Sequence, residues 1–336
     1  MKRIIIIIIL LLLTYFAVDG KTIPLTRVLK PELIEIHNNR IYIVEGPQIH
    51  IYALKDFTHI KTFGREGEGP REFKTYFAFG VRINFYKDQI LATSVGRISF
   101  FDLEGNYQKE TATTFISTGG LKQLEHNGPL FLSDGRYKEG KIAYNTINLY
   151  DAQFKKVKEV AKYVKNEQLG GKVDPMNPGF PKYQVYGNKI FSEEGDRVIN
   201  VFAADGKKIT TISPTDEKMP ITSTYKEEFY TFLKNQDPQE FHRLKNRFAF
   251  PDYFPVIHHF KAADNRLYIV TWKQQKGAQE IKIFTLDGTH TKTAYCPHLK
   301  IDPMYLAPFT IHNGAVYHIA DNPDTETWEL IVTPLQ

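Results

Sequence analysis

His258 and His259 are adjacent. In an extended chain neighbouring side chains point to opposite faces, so one imidazole of the pair can be turned toward an interior channel. An imidazole so placed could ligate a divalent metal if other segments supplied partners. Asp321, Asp324 and Glu326 surround Pro323 with oxygen ligands of the kind a hard cation takes, although a solvated turn accounts for them more simply. Trp272 beside Lys273, with Arg136 at an equivalent place, offers a ring and a cation, a pairing that suits an anionic or carbohydrate-like ligand.

No familiar catalytic pattern accompanies these residues. A His-Glu-x-x-His zinc motif, a Gly-x-Ser-x-Gly elbow, a Gly-rich phosphate loop before a helix and an Asp-rich calcium loop are all missing from the sequence. The sequence therefore predicts no catalytic residue, no metal ligand set and no cofactor. Gly67-x-Gly69 follows a strand, but it leads into Pro70 and a further strand, which is the wrong context for a nucleotide.

Turn chemistry gives the frame that must position these residues. Asn38-Asn39, Lys87-Asp88, His126-Asn127-Gly128, Gly187-Asn188, Asp264-Asn265 and His312-Asn313-Gly314 each precede a short apolar strand. Asn, Asp and Gly suit tight hairpin turns because they tolerate positive φ. A second series in the same phase, at Asp102 to Gly105, Ala204-Asp205-Gly206 and Leu286-Asp287-Gly288, marks a later turn of the same unit. Residues Ile34 to Gly64 display one full unit of four antiparallel strands. Repetition of such a unit predicts an all-β, six-bladed β-propeller over residues 21–336. The last blade has three strands of its own, so closure by the N-terminal strand, Ile23 to Val28, is expected.

Within that frame one connection resembles the inter-blade link of NHL-repeat propellers: Phe63-Gly64, Gly67, Gly69-Pro70 and Phe73. Asn265 to Val270 (Asn-Arg-Leu-Tyr-Ile-Val) is similar to the same repeat. The resemblance implies a bacterial six-bladed propeller of the binding-module kind and no particular ligand.

The unit is interrupted twice. Asn39, Asp88, Asn127, Asn188, Asn265 and Asn313 are spaced 49, 39, 61, 77 and 48 residues apart, which puts the excess at about 163–181 and 213–255. Both insertions join an outer strand to the next inner strand, so both belong to one face and predict a cap over one channel mouth. The second, between blades four and five, is helical in pattern, with Thr224 and Glu227 as a capping box and Asp237-Pro238 as a second helix start. Arg65, Arg82, Tyr253, His258, Trp272 and Lys273 should converge on that capped face and are the predicted ligand-binding residues.

Composition bounds the rest. Met1, Lys2 and Arg3 precede a 15-residue uncharged run from Ile4 to Val18, which reads as a signal peptide over residues 1–20 cut after Gly20. An uncut anchor is the alternative, and membrane attachment is expected only then. The single cysteine, Cys296, excludes an intrachain disulfide. Without Lys2, Arg3 and Asp19 the formal charge falls only from +5 to +4, and nucleic acid is not an expected partner. Lys155, Lys156, Lys158, Lys162 and Lys165 read as a solvated outer strand. The expectation is an exported (periplasmic or secreted) monomeric, noncatalytic binding module of the cell envelope, holding a protein or small ligand at the channel mouth. The alternative is a gluconolactonase-like metal-dependent hydrolase or lyase, for which only Glu35, Asn84 and histidines on inner strands speak.

Overall fold

Paired turn residues at positive φ bend the chain back on itself in five of the six units, and in the other Lys87 alone has positive φ, at 52°. Asn38 and Asn39 have φ of 43° and 60°, Asp264 and Asn265 of 49° and 57°, and Asn313 and Gly314 of 49° and 70°. Two consecutive positive φ values define the tight turn whose twist matches that of flanking antiparallel strands. The computed structural model describes residues 20–335 apart from 76–79, 114–118, 141, 165–171, 173, 177–181, 196, 215–217 and 302–306. The signal segment predicted for residues 1–20 lies outside the described residues but for Gly20.

After β1 (Lys21–Pro24) the chain forms five consecutive four-stranded antiparallel sheets. Blade one is β2 (Leu33–His37), β3 (Arg40–Glu45), β4 (Gln48–Ala53) and β5 (His59–Phe63); blade two is β6 (Arg82–Tyr86), β7 (Gln89–Ser94), β8 (Arg97–Asp102) and β9 (Tyr107–Ala112). Blade three is β10 (Lys122–Glu125), β11 (Pro129–Glu139), β12 (Ile142–Tyr150) and β13 (Lys156–Val164). Blade four is β14 (Tyr183–Tyr186), β15 (Lys189–Glu194), β16 (Val198–Ala203) and β17 (Lys208–Ile212). Blade five is β18 (His259–Ala263), β19 (Arg266–Gln275), β20 (Ala278–Thr285) and β21 (His290–Pro297). The sixth sheet holds β22 (Phe309–His312), β23 (Ala315–Asn322) and β24 (Thr327–Pro334), and β1 lies antiparallel along β24 with Lys21 opposite Val332 and Pro24 opposite Glu329. The protein is an all-β, six-bladed propeller with few helices.

Apolar side chains from facing blades fill the spaces between sheets. Tyr42, Val44, Ile49 and Ile51 of blade one meet Ile83, Ile90 and Phe101 of blade two. Blades six and one share Ile34, Ile41, Ile43, Ile319 and Leu330, with Leu25 and Val28 added from the segment after β1. Phe191, Ile199 and Val201 of blade four meet Phe260, Leu267, Ile269 and Phe284 of blade five. Full burial of each large aliphatic or aromatic group stabilises by about 1.5–3 kcal/mol, so these inter-blade seams hold the ring together.

The link of residues 63–73 shows why glycine recurs there. Gly64 has φ +87°, and a Cβ on it would lie 2.4 Å from the Pro47 carbonyl oxygen and 2.6 Å from the Phe73 ring. Phe73 is fully buried in the seam between blades one and two, so the tight turn at Gly64 lets the link plug that seam.

Helices α1 (Ser223–Gln236) and α2 (Pro238–Leu244) lie between β17 and β18. Thr222 caps α1, its hydroxyl accepting from the Tyr225 amide at 3.1 Å, so the helix begins two residues ahead of the capping box expected at Thr224. Asp237 caps α2 as its sequence implies, with Oδ1 accepting from the Gln239 amide at 3.0 Å. The fully buried Phe229 ring stands edge-on to Tyr230, Phe248 and Phe250. The insertion thus has a small aromatic core of its own.

Candidate ligand-binding cleft

In each blade the inner strand runs from the connection face, which carries both insertions, to the face of the Asn-rich turns. On the connection face the structure holds a cleft of about 360 Å³ between blades four and five. Its walls include Arg197 from the turn after β15, Lys218 and Pro251 to Val256 from the second insertion, Asp174 from the first, and Thr271 to Lys273 of blade five.

A strand irregularity creates the key wall. Between β19 and β20 the register shifts between Val270 and Gln274, so extra residues of β19 leave the ladder. The carboxamide of the buried Gln279 holds them in place, its Nε2 donating to the carbonyls of Thr271 at 2.6 Å and Lys273 at 2.9 Å. Thr271 donates from Oγ1 to Glu280 at 2.8 Å and accepts from the Lys273 amide at 3.1 Å. Such a bulge re-aims a side chain out of the pleat. Here it throws Trp272 against Phe254, with ring centroids 4.6 Å apart and planes 29° from parallel. Tyr225 of α1 stands edge-on to both rings, at 4.7 Å from Phe254 and 6.0 Å from Trp272. A short antiparallel pairing fixes the other wall: the Ile221 amide donates to the Asp252 carbonyl at 3.0 Å and the Phe254 amide to the Met219 carbonyl at 2.9 Å.

Cations flank this stack. The Lys218 ammonium lies 5.2 Å from the centre of the Tyr253 ring, which is 46% exposed. Among the described residues neither Lys218 nor the exposed Arg197 has an ion-pair partner. His258 packs edge-on against Trp272 at 4.3 Å, and burial, reinforced by the Lys182 charge, holds its pKa well below the ordinary histidine value. Among the described residues neither His258 Nδ1 nor Trp272 Nε1 has a hydrogen-bond partner. The arrangement can stack a flat or ring-shaped group and neutralise an anionic one.

Four of the six predicted residues meet here: Tyr253, Trp272 and Lys273 line the cleft, and His258 backs Trp272. Arg65 and Arg82 lie elsewhere. Arg65 is 77% exposed in the link between blades one and two and is held by Glu72 at 2.8 Å. Arg82 opens the inner strand of blade two, 4.0 Å from Glu32. The cleft lining draws on blades four and five and the insertions, so it is a lateral site beside the channel. Arg136 sits in β11 opposite Asn145, inside a long hairpin instead of the turn expected for it. Of the basic cluster, Lys156 pairs with Glu159 and Lys162 with Glu139, both at 3.2 Å, along the largely exposed β13, and Lys165 lies outside the described residues.

A second cavity, of about 320 Å³, occupies the channel and opens on the turn face among inner-strand residues of all six blades. Glu35 and Asn84 both line it, but ammonium groups already bind their oxygens. Lys261 Nζ lies 2.8 and 2.7 Å from the two Glu35 oxygens, and Lys122 Nζ donates to Asn84 Oδ1 at 2.8 Å. A metal ion at either oxygen would have to displace a lysine, so this set does not fit the metal centre of a hydrolase. His259 is far from such a role too: burial, with the Lys182 and Lys261 charges, pushes its pKa down to about 3, and its ring packs on Phe309 at 5.3 Å. Among the described residues no three His, Cys, Asp or Glu side chains gather as metal ligands, Asp321, Asp324 and Glu326 included.

Sequence reading missed the lysines of the channel and two cations of the cleft, Arg197 and Lys218. Lys122 and Lys261 were visible only as polar residues at an inner-strand position, and their meeting depends on ring closure. Phe254, Arg197 and Lys218 lack any local signal, since the insertion brings them together.

No family model matches the sequence, and no curated protein matches it. The NHL-like likeness therefore rests only on the 63–73 link and the Asn265 to Val270 segment, and no family model supports it. In fold, the chain is similar to a member of the DUF4221 family from Bacteroides vulgatus, with a TM-score of 0.52 and 12% identity over 95% of this chain and 96% of that one. Looser matches are the β-propeller domain of Cps50 (Swd1) from Myceliophteria thermophila (TM-score 0.44, 9% identity, 93% and 98% covered) and the computationally designed Ika8 protein (0.39, 10%, 91% and 96%). At such identities the first likeness carries the fold alone.

Proposed function

We propose that the protein is an exported, noncatalytic binding module whose insertion-bearing face receives an acidic carbohydrate in the cleft between blades four and five. The observation that carries this reading is the Phe254–Trp272 stack flanked by Arg197 and Lys218, two cations without an ion-pair partner among the described residues. Sugar rings lie on aromatic faces, and cations beside them select carboxylated sugars. In this reading the pairing of β1 with β24 closes the ring, and the helical insertion between blades four and five is the adaptable edge that builds the site. Export follows from Lys2, Arg3 and the apolar run after them, and among the described residues no helix is long and apolar enough to cross a membrane. Cleavage after Gly20 would start the mature chain at Lys21, the first residue of β1.

Calorimetry with tri-galacturonate as the probe tests the reading. Trp272→Ala and His258→Ala should each weaken binding at least tenfold, whereas changes at Asp205 and Asp287, in turns on the opposite face, should leave it intact. Binding lost in the Asp205 and Asp287 variants and kept in the other two would put the site on the wrong face.

A further inference from the structure

Among the described residues, the cations on or beside the inner strands are paired with carboxylates, with one exception. Lys261 meets Glu35, Lys182 meets Glu193 at 3.1 Å, and Arg82 meets Glu32 at 4.0 Å. Among the described residues Lys122 has no carboxylate within ion-pair distance. Its ammonium donates to two neutral oxygens, Asn84 Oδ1 at 2.8 Å and the Gly119 carbonyl at 3.4 Å, and lies 5.6 Å from the centre of the Tyr183 ring. The nearby Asp134 carboxylate is occupied by the Tyr183 hydroxyl at 3.0 Å and the Gly119 amide at 3.1 Å. An ammonium group has three protons to donate, so one remains. Beside it, Asn84 Nδ2 is buried and has no hydrogen-bond partner among the described residues.

A half-buried charge without a counter-charge is costly, and so is a buried N–H without an acceptor. Both costs fall at one place in the channel cavity. Burial pulls the Lys122 pKa down to about 8, with the Lys261 and Arg82 charges adding to the fall and the Glu35 and Asp134 charges opposing it. At neutral pH the group is still largely protonated. The backbone is shaped to this pair: Gly120 has φ +74°, and a Cβ there would come within 2.7 Å of Asn84 Nδ2 and 2.8 Å of the Arg82 Cβ.

We propose that the central channel holds a small carboxylate anion, one oxygen on the Lys122 ammonium and the other on Asn84 Nδ2. Two adjacent donors suit the two oxygens of a carboxylate. One surplus positive charge, with Glu35 close by, disfavours a dianion such as phosphate. The site is separate from the cleft, since its cavity opens on the turn face, so it stands or falls independently of the carbohydrate reading.

Thermal unfolding of the full chain at pH 7, in sodium acetate, sodium phosphate or sodium chloride at equal ionic strength, tests the proposal. Acetate should raise Tm over chloride in a saturable way, by roughly 2 °C at tenfold over its Kd. Phosphate should do less, and Lys122→Met should remove the acetate response. Equal Tm in acetate and chloride, a larger response to phosphate, or an undiminished response in Lys122→Met would each overturn it. Saturation-transfer NMR of the acetate methyl signal on the wild-type chain gives a reading that does not depend on the variant folding. Saturable transfer is expected, and its absence overturns the assignment.

Discussion

Lys261 and Glu35 lie 226 residues apart in sequence, yet the ammonium of one touches both carboxylate oxygens of the other, at 2.8 and 2.7 Å, across the channel. Blade five is thereby tied to blade one past the intervening sixth sheet, and Thr310 of that sheet adds a 3.3 Å bond to the same carboxylate. Removing one partner leaves a charge in the channel with little solvent around it. Because both side chains keep some contact with water, at 16% and 26% exposure, the cost is discounted to about 1–3 kcal/mol. Glu35→Gln and Lys261→Met should each destabilise by that amount in chemical denaturation, and the double variant should lose clearly less than the sum. Strict additivity would mean that the pair is uncoupled.

Acid should weaken the fold through buried histidines. Burial holds His259 at about 3 and His318 at about 4, and His258 well below the ordinary value, so the native state keeps them neutral where the unfolded chain takes up protons. Stability they contribute is complete above about pH 6.5 and is lost as pH falls toward the native values, by about 2 kcal/mol each for His259 and His318 at pH 5. Denaturant titrations from pH 7 to 4.5 should show this decline, and His259→Phe should make it shallower. A stability that stays flat over that interval would mean that these rings are not held neutral.

The bulge that presents Trp272 depends on one carboxamide. Gln279→Leu removes both bonds to the Thr271 and Lys273 carbonyls and leaves the buried Thr271 acceptor without its donor, at a cost of about 2 kcal/mol. Trp272 should then lose its fixed place against Phe254, and its fluorescence should move toward that of a solvated indole. An unchanged spectrum would show that the insertion alone holds the ring.

Phe229→Ala should empty the centre of the insertion. Truncating a fully buried phenylalanine costs about 3–5 kcal/mol, more than two short helices can absorb. Circular dichroism should lose its helical component while the β signal persists. Loss of both together would mean that the insertion and the ring unfold as one unit.

The blade count was legible because turn chemistry is local. Asn39, Asn188, Asn265 and Asn313 mark hairpins that need positive φ wherever they occur, and the alternation of strands follows from them. The lateral cleft was half legible: Trp272 and Tyr253 stood out as aromatics near insertions, but the bulge that aims Trp272 depends on Gln279, a residue with no distinctive signal of its own. Arg65 and Arg82 were grouped with them on connection geometry, which fixes a face and leaves position around the ring open. In the channel, Lys122 and Lys261 became meaningful only through the register of six inner strands, a long-range property that no short motif encodes.

Trp272 and Trp328 are the two tryptophans of the chain, so Trp328→Phe leaves a single fluorescent reporter inside the proposed cleft. Titrating that variant with tri-galacturonate, with neutral maltotriose as control, tests most directly whether this cleft receives an acidic carbohydrate. A saturable change in Trp272 emission is predicted for the acidic sugar, weakened at least tenfold when Arg197 and Lys218 are both changed to Ala. No saturable change with the acidic sugar, or one that survives the loss of both cations undiminished, would contradict the account.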